Sequence, residues 1–183
     1  MRRLLPLLLI ASVALFAAGC GSSDDSSSDA TPTEEWADSL CSAVATWTTA
    51  ISGVGDSLGE SGLSEDAIRS AADEAKSATE TLIDDLGDLG RPDTEAGQEA
   101  KDSVDQLTEQ LEQEVDKIES AADDVLGVSG VLTAISTVTA TLASMGSQLS
   151  STFSELEQLD AVGELEDAFR ESDSCQGITD DQP

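Results

Sequence analysis

Whatever chemistry this chain performs falls to thiols or carboxylates. It carries three cysteines, Cys20, Cys41 and Cys175, and 38 Asp and Glu, but no histidine and no tyrosine. Without imidazole there is no ordinary Ser-His-Asp triad, no His base and no His metal site. Paired carboxylates could in principle cleave a glycosidic bond, but they need a walled cleft to hold the substrate. The acid clusters Asp84-Asp85-Asp88 and Asp123-Asp124 lack the alternating ligands and glycine of an EF-hand loop and read as solvated faces. Gly53-Val54-Gly55-Asp56-Ser57-Leu58-Gly59 lacks the lysine and preceding strand of a phosphate loop. We therefore expect no catalytic residue, no metal and no cofactor, and a protein that is not an enzyme.

The first thiol has a different use. Met1-Arg2-Arg3 is a short cationic start, and Leu4 to Phe16 is an apolar run broken by Pro6 and Ser12. Small residues then lead to a cysteine followed at once by polar Gly21-Ser22-Ser23-Asp24-Asp25. Ala17-Ala18-Gly19-Cys20 resembles the lipobox of bacterial lipoproteins. The resemblance implies export, cleavage before Cys20 and a diacylglyceryl thioether on its sulfur, with palmitate-type chains in the outer face of the cell membrane. The pattern departs at Ala17, where the family usually has Leu. Ala17 and Gly19 also fit the small-x-small rule of ordinary signal peptidase, which would release a soluble product. A retained span is disfavoured because the apolar run falls short of the ~20 residues needed. An odd cysteine is unusual in an exported protein, and lipidating Cys20 leaves Cys41 and Cys175 as a pair.

Cleavage removes Arg2 and Arg3 with residues 1–19 and takes the net charge from −30 to −32. Nucleic acid is excluded as a partner, since phosphate binding runs on Lys and Arg. Anionic lipid would repel the surface, so the membrane holds this protein only through acyl chains. Residues 20–33 carry the lipidated cysteine and then only Ser, Asp, Thr, Gly, Ala and Pro, a disordered tether reaching ~20 Å.

Residues 34–176 read as one helical domain, followed by a disordered acidic tail, 177–183. Thr31-Pro32-Thr33-Glu34 has capping-box spacing with Pro at the first helical position. Trp36, Leu40, Val44, Trp47, Ile51, Val54 and Leu58 form one stripe, and three glycines favour an early stop. The two tryptophans share a face and are expected as core anchors. A second helix starts at the Ser64 cap, with Leu63 stapling onto Ile68, and its stripe runs through Ala72, Ala75, Thr79, Leu82 and Leu86 to Leu89. The third, about Asp93 to Leu126, has a narrow seam from Ala100 to Val125 with acids on all other faces. Gly127 and Gly130 then break the chain. A fourth helix follows with Val131, Ile135, Val138, Leu142, Met145, Leu149, Phe153, Leu156 and Leu159. A short fifth holds Val162, Leu165 and Phe169.

The fold class expected is all-α: an antiparallel bundle of four long helices, each ~35 to 50 Å, plus a short C-terminal helix. Four passes return the chain end to the level of its start, beside Cys41 in the second turn of the first helix. This predicts a Cys41–Cys175 disulfide in an oxidising compartment. Trp36-Ala37-Asp38-x-x-Cys41 with Trp47 and a late Cys175 is also similar to small secreted or lipid-anchored helical proteins of actinobacteria. That resemblance supports the pairing and the compartment and implies no activity.

One segment breaks the acidic pattern. Val125 to Ser154 is thirty residues without Asp, Glu, Lys or Arg, studded with Ser and Thr. Either it is a central helix whose hydroxyls bond back to its own carbonyls, or it is an uncharged partner or ligand face through Ile135, Val138, Leu142, Met145 and Leu149. The function expected is a membrane-anchored interaction or structural module of the cell envelope, meeting an envelope protein or a second copy. The alternative is a carrier or sensor for a small apolar ligand or lipid between the helices. Thr137, Thr141 and Ser144 discriminate: solvent-facing, they favour the module; lining an enclosed cavity, they favour the carrier.

Overall fold

The computed structural model describes residues 32–159 and 163–179, and every element among them is helical. Cys20, the leader 1–19, tether residues 20–31, Val162 and residues 180–183 lie outside the described residues. The elements are α1 (Pro32–Ser61), α2 (Glu65–Asp88), α3 (Gly97–Asp123), α4 (Gly127–Leu159), α5 (Glu164–Glu171) and α6 (Asp173–Thr179).

Helix α1 starts at Pro32, whose fixed φ and missing N–H suit a first helical position. It does not stop early. Gly53, Gly55 and Gly59 each weaken a helix interior by ~0.5–1 kcal/mol relative to Ala, but Val54 is buried and Leu58 packs on the core, which holds the last turns in place. Helix α2 begins as expected, with the Ser64 hydroxyl accepting from Ala67 N. The staple does not form: Leu63 is 63% exposed, while Ile68 turns into a cluster with Val125, Val131 and Ala134.

Helix α3 starts four residues later than its pattern suggests. Asp93 to Ala96 form a turn over the buried Pro92, closed by Gly97 N donating to Thr94 O at 3.0 Å. Gly127 takes a φ of 67°, a conformation that costs a side chain heavily, and so redirects the chain into α4. Gly130 does not break that helix. A Cβ there would sit 2.9 Å from Asp124 O, so glycine allows the first turn of α4 to press against the end of α3. The C-terminal segment is two helices, α5 and α6, and α6 carries Cys175 and runs to Thr179, beyond the expected boundary at 176.

Helix α1 packs on α2, α2 on α3 and α3 on α4, with α2 also meeting α4. The short helices α5 and α6 pack on α1, and α5 also reaches α4. Phe169 of α5 mediates this contact, its ring centroid 6.2 Å from that of Trp36 and 5.8 Å from that of Phe153. The main core runs through these helices, with Leu40, Leu82, Leu86, Leu107, Leu111, Ile118, Met145 and Leu156 fully enclosed. Each such side chain contributes ~1.5–3 kcal/mol when taken out of water.

Candidate functional site

Cys41 and Cys175 form a disulfide, with Cα atoms 5.0 Å apart. Both are buried, Cys41 inside α1 and Cys175 on α6, so this pair is structural. Beside it Ser172 Oγ, between α5 and α6, donates to Asp38 at 2.9 Å and Ser42 Oγ donates to Ser174 at 3.0 Å, tying the C-terminal segment to α1. The two tryptophans are core anchors as expected. Trp36 Nε1 donates to Gly90 O at 3.3 Å, and Trp47 Nε1 donates to Thr79 Oγ1 at 3.1 Å. Among the described residues no group of His, Cys, Asp or Glu is arranged to hold a metal ion.

The uncharged helix α4 has two faces with different fates. Val138, Met145 and Leu149 are buried, and Ile135 and Leu142 are half-buried against the core. Most of that stripe packs the interior, and within it Ile135 and Leu142 keep part of their surface. The opposite side meets water: Ser129, Leu132, Ser136, Ala140, Ala143, Ser147, Ser150 and Ser154 are exposed. Helix α4 is long and apolar enough to cross a membrane by length and composition, yet only 22% of its most apolar stretch is buried. It is an outer helix rather than a central one. Its hydroxyls do bond back as expected, Thr133 to Ser129 O, Ser147 to Ala143 O and Ser154 to Ser150 O, each at 3.0 Å. Thr141 is buried, while Thr137 and Ser144 are half-buried, so these hydroxyls do not share one environment.

Sequence reasoning missed a buried carboxylate. Glu114 is 5% exposed, although α3 was expected to carry acids only on its outer faces. Both of its oxygens accept from Lys117 Nζ at 2.9 Å, and Oε1 also accepts from Ser144 Oγ at 3.3 Å and Gln148 Nε2 at 3.2 Å. The signal was present in the register: Glu114 lies three residues after Leu111 and four before Ile118, on the seam itself. Next to it, Ser103, Gln106, Gln110, Ser147, Gln148 and Ser151 help line a polar groove of about 240 Å³ between α3 and α4. Its lining combines hydroxyls and carboxamides with Leu107 and the carboxylate of Glu155.

Outside this groove Lys76, Lys101 and Arg170 form ion pairs at the surface. Lys76 reaches from α2 to Glu119 of α3 at 3.1 Å, and that hydrogen bond raises its pKa above the ordinary 10.5. At the end of the molecule holding the α1–α2 and α3–α4 turns, Glu65 Oε1 accepts from Gly127 N at 2.7 Å. Arg69 Nη2 donates to Val125 O at 2.8 Å. These two bonds pin the α3–α4 turn against the start of α2. The large apolar side chains most exposed among the described residues gather there: Leu63, Leu126, Val128 and Leu132, between 58% and 79% exposed.

Comparison with protein-family models, curated proteins and solved structures finds no match for this chain.

Proposed function

We propose that this protein is a lipid-anchored, extracytoplasmic helical module that binds another protein of the cell envelope and performs no catalysis. The observation that carries this reading is the outward face of α4. In a chain of net charge −30, a helix free of ionisable groups from Val125 to Ser154 turns a full face of small and hydroxylated side chains to water. Such a face adds nothing to the core and is an exception to the acidic surface around it. Partner contact explains its exposure together with its lack of charge. The arrangement behind it is an up-down-up-down antiparallel bundle. Short turns at 62–64, 89–96 and 124–126 join helices that pack on one another. The leader and Cys20 supply the anchor, and the tether lifts the bundle clear of the headgroups.

The carrier reading finds less support. Of the small residues that could leave room for a ligand, Ala72, Ala75 and Ala100 are 0–2% exposed within the packed core and Ala122 is half-buried against it. The Glu114 groove lies at the α3–α4 surface seam.

The test is cross-linking in cells followed by affinity capture and mass spectrometry of proteins and lipids. A recurrent envelope protein should appear with the wild type and be lost from Ser136→Glu/Ala143→Glu, which charges the outward face of α4 and leaves the core untouched. Capture of the same protein by that variant would remove α4 from the role. A co-purifying lipid with no protein would replace the module by a carrier.

A further inference from the structure

The apolar cluster at the two-turn end has a more specific use. Leu63 immediately precedes the Ser64 cap of α2, and Leu126 immediately precedes Gly127, whose N–H is held by Glu65. Those contacts bring the two leucines' turns together, and Val128 and Leu132 continue from there one helical turn apart on α4. Four large apolar side chains, each more than half exposed, thus share one tip of a molecule whose surface, the outward face of α4 apart, is rich in acid. Acids surround them: Glu60 ends α1, Asp66 opens α2, and Asp123 and Asp124 close α3, all exposed. Arg69, a cation at this end, is engaged by Asp66 at 3.8 Å and by Val125 O.

Resting on the interaction reading above, we propose that this tip, where the exposed face of α4 begins, anchors that contact and that its occupant is a cationic, amphipathic segment of the partner protein. The charge pattern selects it. An apolar centre inside an acidic rim is complementary to apolar side chains flanked by Lys or Arg. A second copy seated tip to tip would set acid against acid, and an anionic membrane would meet the same repulsion. The chain's own tether does not fit either. Residues 21–31 hold no large apolar side chain, and they join at Pro32, separated from Ser61 by the ~45 Å length of α1. The tip is therefore the end of the bundle farthest from the tether's attachment, placed to meet a partner beyond the anchor.

The experiment uses the full mature chain and two fluorescent 18-residue peptides of equal positive charge, one built from Leu and Lys, the other from Ser and Lys. Anisotropy titration at physiological salt should show the Leu/Lys peptide binding at least tenfold more tightly. Val128→Ser/Leu132→Ser should erase that preference while circular dichroism shows the fold intact. Leu63→Ser/Leu126→Ser, altering the turns rather than the helix, should do the same. Equal affinity of the two peptides for the wild type, or a preference surviving in both variants, overturns the proposal. So does a wild-type dimer that either variant dissolves, or binding to neutral or anionic vesicles that either variant abolishes. An envelope protein cross-linked equally well by wild type and both tip variants would leave the interaction module standing and remove the tip as its docking site.

Discussion

The residues that decide this core are polar ones placed where they can be satisfied. Thr79 is fully buried, accepts from Trp47 Nε1 at 3.1 Å and donates to Ala75 O at 2.8 Å. Thr79→Val keeps the volume and strands the indole N–H. It should lower stability by ~1–3 kcal/mol, measured as a shift in the urea midpoint. At the surface, Lys76 titrates above its ordinary 10.5 because Glu119 accepts its hydrogen bond. A raised pKa in the folded state means that this pair stabilises fully below the unfolded value and ceases to do so as pH climbs through the folded one. The difference in urea midpoint between wild type and Lys76→Gln should therefore be small and level from neutral pH to about 9, and close as pH rises beyond 10.5. A gap that widens there would contradict the pairing.

At the scale of elements, helix starts and stops follow backbone rules that can be tested with single glycines. Gly53 and Gly55 lie inside α1, and a Cβ at either would meet nothing within 4 Å. Replacing each with Ala should raise stability by ~0.5–1 kcal/mol. Gly130→Ala should do the reverse and lower the melting temperature, since its Cβ would press on Asp124 O at 2.9 Å. The helices and their core stripes were legible in the sequence because apolar residues at three-four spacing have few other uses. Leu107, Leu111 and Ile118 fall where periodicity puts them. The polar contents of the interface between helices were not legible. Glu114 lies on the seam by register, but its burial depends on Lys117, Ser144 and Gln148 arriving to hold it, two of them from another helix. The same holds for α4. Its sequence showed a charge-free segment, but which side turns inward is set by packing on α2 and α3, which buries Val138, Met145 and Leu149 and leaves Ile135 and Leu142 half-buried.

For the whole molecule, the disulfide matters most. It joins positions 134 residues apart, connecting the first helix to the last. In the chain-entropy model a loop of that length contributes ~4–5 kcal/mol, and removal of a native bridge from a small secreted domain costs ~2–5. Cys41→Ser/Cys175→Ser should lose a comparable amount. Hydrogen exchange should rise first in α5 and α6, which pack chiefly on α1. If those two helices keep their protection in the double variant, the ring contacts of Phe169 rather than the bridge hold them.

That same span sets an order of events during biosynthesis. In a chain exported N-terminus first, Cys41 reaches the oxidising compartment 134 residues ahead of its mate. Of the three cysteines in this sequence, the one that precedes Cys41 is Cys20, separated from it by a much shorter loop. A wrong bridge between these two would trap the emerging chain before α6 exists. The acylation of Cys20 that we propose would have a second effect beside anchoring: it would take that thiol out of competition for Cys41 and leave Cys175 as its mate within this sequence. Blocking lipidation in cells should accordingly yield a fraction of chains bridged 20 to 41, visible by peptide mapping of non-reduced protein.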